Sequence, residues 1–253
     1  MPESVQEVEE DWYERSFSAL YPILYAHRTV EAALPEVEFA SRVLRILPHE
    51  HVLDMACGSG RHMLHLQRFA DRVVGVDFSH TLLGHARETL GPNGCLVRGD
   101  MRAIPFENAF DAVCSFFTSF GYFQTDEEDR ATLGGVQRAL RKGGRFLLDY
   151  FNSDYAQSTL IPCSTRSFDG YEIDEQRWLD TTTKRLNKRI HITDVTGREH
   201  TFLESVRVFS TADMNRLFTE SGLNIEAWYG DYSGGPISPS SPRMIIVARK
   251  GDA

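Results

Sequence analysis

The segment Val52–His62 (Val-Leu-Asp-Met-Ala-Cys-Gly-Ser-Gly-Arg-His) constrains this chain more than any other. A short apolar run reads as a buried strand, then comes a turn of small residues, and a helix begins. Glycines at a strand-to-helix turn let a ligand approach the backbone closely, and the unpaired N–H groups of a helix start attract a carboxylate or a phosphate. Taken alone, Gly58-Ser-Gly60 implies only a nucleotide-like ligand.

Two acids beyond the turn narrow the choice. Asp77 closes the run Val-Val-Gly-Val-Asp and Asp100 closes Val-Arg-Gly-Asp, so Asp54, Asp77 and Asp100 recur every 23 residues. That period suits consecutive strand–helix units whose strands end at one edge of a sheet. An acid at the end of the second strand, about 20 residues after such a turn, can accept from both hydroxyls of a ribose. One at the end of the third can accept from the exocyclic amine of adenine. A dinucleotide site wants a small residue three positions after the second glycine. This chain has Met63 there, and it has no Gly-x-x-x-x-Gly-Lys phosphate loop.

The alternation extends along the chain. Pro35 is expected to open a helix that carries Phe39, Val43, Leu44 and Leu47 on one face and ends at Pro48. Strands are predicted at 52–55, 73–76, 95–98, 112–117 and 145–149. Helices fall at 62–69, 81–90 and 127–140, the last stopped by Gly143-Gly144. The pattern implies a doubly wound α/β fold: a Rossmann-like, seven-stranded, mostly parallel sheet with helices on both faces. From about Thr165 to Phe209 strand succeeds strand, with turns at Asp169-Gly170, Asp180–Thr183 and Thr196-Gly197. This reads as a small antiparallel β insertion. Ser210-Thr211 then caps a helix to Glu220, and Leu223–Trp228 and Met244–Ala248 read as two last strands. Four divisions result. Residues 1–34 form an N-terminal helical lid rich in aromatics (Trp12, Tyr13, Phe17, Tyr21, Tyr25). Residues 35–150 form the ligand-binding core, 151–209 the insertion, and 210–253 the completion of the core sheet.

In these motifs the chain resembles the class I S-adenosylmethionine (SAM)-dependent methyltransferases. Their first motif, Asp/Glu-x-Gly-x-Gly-x-Gly, is similar to Asp54-Met-Ala56-Cys-Gly58-Ser-Gly60, with Ala56 in the place of the first glycine. Val73–Asp77, Gly99-Asp100-Met101 with Ile104-Pro105-Phe106, Phe110–Val113 and Leu140–Phe146 match later motifs in order. The resemblance covers about residues 40–150 and 210–249. It implies SAM as cofactor. Asp54 would orient the turn near the methionine amino group, and Ala56, Gly58 and Gly60 would line the methionine and ribose. Asp77, with Phe78 beside it, would take the ribose hydroxyls, and Asp100 with the Met101 backbone would read the adenine. Phe116 and Phe117 would flank the cofactor, and Tyr21 and Arg28 of the lid would cover it, an arginine there being suited to the SAM carboxylate.

The run Ser115–Phe123, rich in aromatics and hydroxyls, comes after the fourth strand and is expected beside the reactive methyl. Asp149–Asn152, Trp228–Tyr232 and Arg243 are expected to face the same site. Small-molecule N-methyltransferases carry a similar insertion after the fifth strand, which roofs the acceptor. The expected reaction is therefore methyl transfer by in-line displacement to a small-molecule acceptor, with N favoured over O or C. His27, Tyr122 and Asp149 are the candidates for a base. His62 reads as a first-turn helix residue. Other readings stay open: a SAM-binding protein with different chemistry or a regulatory role, or a methyltransferase acting on protein or tRNA. The insertion is equally a candidate dimer interface, and a monomer and a homodimer both fit.

Composition excludes little but points one way. A formal charge of −9 disfavours nucleic acid and anionic membranes as partners. No apolar run approaches the roughly 18 residues of a membrane span. The acidic start lacks a signal peptide's basic and apolar regions. The four cysteines form no Cys-x-x-Cys pair, so no metal is expected, and they are read as buried reduced thiols of a cytoplasmic protein.

Overall fold

In the computed structural model, which describes residues 11–16 and 20–251, five strands run parallel: β1 (His51–Met55), β2 (Arg72–Asp77), β3 (Cys95–Arg98), β4 (Phe110–Ser115) and β5 (Leu140–Phe151). The insertion adds β6 (Cys163–Phe168), β7 (Tyr171–Asp180), β8 (Arg185–Thr193) and β9 (Glu199–Arg207), and the chain ends with β10 (Leu223–Tyr229) and β11 (Arg243–Lys250). The main sheet has the order β10-β11-β5-β4-β1-β2-β3, with β11 antiparallel to both its neighbours. Strand order reverses between β1 and β4. The crevice beyond their carboxyl ends is therefore where a ligand docks in a sheet of this kind.

The helices are α1 (Trp12–Ser16), α2 (Tyr21–Leu24), α3 (Val30–Leu44), α4 (Arg61–Leu66), α5 (His80–Leu90), α6 (Asp126–Ala139), α7 (Ser153–Thr159) and α8 (Thr211–Glu220). Strand side chains alternate between faces, so β5 gives Phe146 and Leu148 to one side and Leu147 to the other. On the first side they meet Leu133 and Val136 of α6 and Leu217 and Phe218 of α8. On the second, Leu147 packs with Val37 and Phe39 of α3, Met63 of α4 and Ala86 of α5. The doubly wound sheet expected from the sequence is present.

The insertion strands form a separate antiparallel meander, β6-β7-β8-β9. Its Ile173, Ile190 and Ile192 pack against Leu24 and Tyr25. Arg166 Nη2 donates to Leu24 O at 2.5 Å, and Ser16 Oγ donates to Leu203 O at 2.9 Å. The N-terminal segment is thus bound to the insertion.

Several local expectations fail. Pro35 does not open α3; the helix begins five residues earlier, where Thr29 accepts from Ala32 N, and Pro35 lies inside it. A good cap outweighs one missing N–H. The helix ends at Leu44, with Arg45 left-handed (φ 52), before Pro48. Gly143-Gly144 does not stop α6, which ends at Ala139; the pair lies within β5 at a register shift against β4. Helix α7, capped by Asn152, has no apolar periodicity to announce it. Cys57 and Cys114 are buried, but Cys95 and Cys163 sit exposed on β3 and β6, so burial holds for only half of the thiols. Phe17 lies outside the described residues, as do parts of the expected lid.

Candidate active site

The turn after β1 takes its shape from left-handed backbone. Ala56, Gly58 and Gly60 have φ of 61°, 55° and 80°. Ala56 bears the small penalty that a Cβ incurs there. A Cβ on Gly58 would meet only Leu82, at 4.0 Å, so glycine keeps the turn's face open. Gly60 serves packing: a Cβ there would press on Leu90 and Ala86 of α5 at 3.2–3.3 Å, and Gly60 does not line the cavity. Met63 is accommodated by a glycine on the strand. A Cβ on Gly75 of β2 would lie 2.2 Å from Met63 Sδ and 2.7 Å from Cys57 Sγ. Close seating of α4 on the sheet is achieved from the strand side.

The three spaced acids occupy different environments. Asp77 ends β2 at the cavity wall, where Oδ2 accepts from Gly58 N and Oδ1 from Ser79 N, both at 2.8 Å. Burial pushes its pKa up, and these backbone donors oppose the rise. Asp100 also lines the cavity. Burial works against its charge, but bonds from Arg102 N, Nε and Nη2 hold its carboxyl below the ordinary range. Asp54 does not reach the cavity. It is buried beneath the turn, its Oδ2 has no partner, and desolvation raises its pKa to about 8.

One cavity of about 420 Å³ runs from Asp100 and Met101, past Asp77, Phe78 and the turn, to Phe116, Phe117 and Tyr122. Tyr21, Tyr25 and Arg28 close it from the N-terminal side. The Arg28 guanidinium lies between two rings, 3.9 Å from the Tyr25 centroid and 3.8 Å from that of Phe117. Its Nη1 reaches Tyr21 Oη at 3.4 Å, while its Nε is buried with no partner among the described residues.

Comparison with known proteins agrees with this layout. Residues 52–144 match the model of a methyltransferase domain. The chain is 28% identical over 229 residues to a dTDP-3-amino-3,4,6-trideoxy-α-D-glucopyranose N,N-dimethyltransferase from Streptomyces venezuelae, covering 88% of this chain and 96% of that protein. It is 29% identical over 212 residues to the cypemycin N-terminal methyltransferase of a Streptomyces species, covering 81% and 85%. Among solved structures, a SAM-dependent methyltransferase from Clostridium acetobutylicum superposes with a TM-score of 0.78 at 18% identity, covering 94% of this chain and 99% of that one. Residues 52–144 are thus a methyltransferase domain, in a chain with the fold of the SAM-dependent methyltransferases.

In this methyltransferase the three candidate bases part company. Tyr122 lines the cavity, and burial raises its pKa, so its hydroxyl stays protonated. His27 does not line it. The chain turns there, Arg28 N donating to Tyr25 O at 2.8 Å, which leaves His27 exposed at the apex. Asp149 does not line it either. Its fully buried carboxylate accepts from Phe117 N at 2.7 Å, Tyr232 Oη at 2.5 Å and Arg243 Nε at 2.7 Å. It braces the loop after β4, and it draws Tyr232 and Arg243 into that role with it.

The aromatic run splits in the same way. Phe116, Phe117, Ser119, Tyr122 and Phe123 line the cavity, while Phe120 turns into the core beside Tyr150. Among the lining residues, the sequence marks His62 only as a first-turn helix residue and gives Arg61 no role. His62 stacks on Phe116 (4.1 Å, 11°) and its Nε2 donates to Glu36 Oε2 at 2.5 Å; burial lowers the His62 pKa to about 4, keeping the ring neutral. Arg61 pairs with the same Glu36 at 3.3 Å and lies 5.3 Å from the Phe117 centroid. The partner that fixes both stands on α3, and no local motif marks it.

Proposed function

We propose that this methyltransferase transfers the methyl of SAM to the nitrogen of a small-molecule amine. The observation that carries the reading is the continuity of the cavity. The turn after β1, with Asp77 and Asp100, occupies one part, and the aromatic group of Phe117, Tyr122 and Tyr25 occupies the other. Of the Streptomyces relatives, one is named an N,N-dimethyltransferase of a dTDP-amino sugar and the other an N-terminal methyltransferase.

The residues present suit SAM. The unpartnered Arg28 Nε matches a carboxylate, and a carboxylate paired to it gains charge-assisted bonds in a dry setting. Asp77 retains lone pairs beyond its two backbone donors for the ribose hydroxyls. Phe78 and Met101 provide apolar walls near Asp100 for the adenine. SAM supplies a methyl on a sulfonium, so transfer is a displacement in line with the departing sulfur. The chain's part is to align the nitrogen and to keep it neutral. Aromatic walls exclude water, the nearby guanidinium groups of Arg28 and Arg61 disfavour an ammonium ion, and the protonated Tyr122 offers a hydroxyl to orient the amine. The free thiols support a reducing compartment such as the cytoplasm.

Calorimetry with SAM, S-adenosylhomocysteine and NAD tests the cofactor, and only the first two are expected to bind. The acceptor is tested by mass spectrometry after incubation with SAM and either a dTDP-3-amino sugar, a free amino sugar or a short peptide with a free N-terminus. Methylation confined to oxygen or carbon, or tight SAM binding with no turnover, would overturn the reading.

A further inference from the structure

The loop that carries the cavity's aromatics leaves β4 in an unusual conformation. Phe117 and Thr118 are consecutive left-handed residues (φ 57° and 64°), and Gly121 is a third (φ 76°). A Cβ on Gly121 would lie 2.9 Å from Tyr150 Oη and 3.1 Å from Phe209 Cε2, so the loop runs hard against the core. Backbone of this kind persists only where its surroundings over-determine it. At the start of the loop Asp149 does this. At its end the insertion does, by taking three consecutive carbonyls. Gly121 O accepts from Arg207 N at 2.8 Å, Tyr122 O from Arg185 Nη2 at 3.0 Å, and Phe123 O from Arg185 Nη1 at 2.9 Å.

Arg185 opens β8 and is 6% exposed. Its Nε donates to Ser205 Oγ at 2.6 Å and its Nη2 to Ser205 O at 2.8 Å. Among the described residues no carboxylate pairs with it, for Asp126 and Asp129 of α6 are both taken by Arg207. A buried guanidinium without a direct ion pair is expensive, and an apolar side chain would fill the same space at lower cost. A planar fork that spans two adjacent carbonyls while gripping a neighbouring strand is something only arginine offers.

We propose that Arg185 is a positioning residue: it sets the placement of Tyr122 in the acceptor part of the cavity and of Phe123 next to it in the chain, and so couples the insertion to acceptor choice without touching the acceptor. This rests on the reading of that part as the acceptor site. Tyr122 meets Trp12 edge-on at 5.2 Å and Phe123 meets Tyr13 at 5.7 Å, so a shift of the loop reshapes the aromatic wall on both sides.

Hydrogen exchange on the full-length protein tests the placement whether or not an acceptor is known. In Arg185→Met, exchange across residues 118–124 should rise about tenfold or more, as loss of two bonds from a charged donor implies. Exchange at 52–60 and 74–80 should hold, and calorimetry should give a SAM Kd within about twofold of wild type, where tenfold would mean 1.4 kcal/mol. Ser205→Ala removes one bond on the sheet side and leaves both carbonyl bonds, so the loop should exchange as in wild type. Arg185→Lys, whose ammonium cannot span the fork, should fall between the two and serves if the methionine variant does not fold. Unchanged exchange at 118–124 in the lysine and methionine variants, or equal loosening of the whole core, would overturn the proposal. Failure of the amine assay alone would count against the acceptor reading and leave these exchange results standing on their own.

Discussion

The guanidinium of Arg28 stacks 3.8 Å above the ring of Phe117, which joins the N-terminal segment to the loop after β4 across the mouth of the cavity. Held there with its Nε unpartnered, Arg28 is placed to receive a carboxylate. Arg28→Met should raise the SAM Kd by about 10- to 100-fold, the range of a lost charge-assisted bond. Binding of 5′-methylthioadenosine, which has no carboxylate, should change little. Equal losses for both ligands by calorimetry would remove the assignment.

Asp77 joins the turn to the wall of the cavity. Asp77→Ala should abolish the thermal stabilisation that SAM gives, while the apo protein loses about 1–2 kcal/mol from the orphaned Gly58 and Ser79 amides. A folded variant that SAM still stabilises as in wild type would refute the ribose role.

Asp54 predicts a pH dependence. Its folded pKa of about 8 lies above the ordinary 3.8, so between those values the folded chain holds a proton that the unfolded chain has released. The stability this proton provides is complete below the lower value and is lost as the pH rises through 8. Asp54→Asn should therefore match wild type near pH 4 and become increasingly the more stable of the two as the pH rises towards 9. Urea unfolding at both pH values checks the crossing; a constant difference would show that Asp54 does not titrate this way.

Asp149 and Arg243 are buried together, and removing one strands the other. Asp149→Ala should cost about 3–5 kcal/mol in urea unfolding. The double variant Asp149→Ala/Arg243→Met should recover part of that loss. A recovery of zero would mean that the pair is not coupled.

The sheet and the placement of Asp77 and Asp100 on the cavity wall were legible because their signals are local. A turn, an acid at a strand end and a capping serine each act within a few residues, and Asp77 and Asp100 stand where strand length alone puts them. Asp149 misled for the opposite reason. It ends a strand at the correct edge, but its role is decided by Tyr232 and Arg243, 83 and 94 residues further on. His27 misled because a single turn reverses which neighbour faces inward. Arg185 left no trace in the pattern, since a basic residue after a turn ordinarily faces water.

Tyr21, Tyr25 and Arg28 lie near the start of the chain, yet the segment that carries them packs on Ile173, Ile190 and Ile192 of the insertion. Synthesis proceeds from the N-terminus, at about 5–20 residues per second. The strands that floor the cavity, β1 to β4, are synthesised before those isoleucines. The segment that carries Tyr21, Tyr25 and Arg28 is thus made well before the surface that seats it, and the cover of the cavity waits on the later half of the chain.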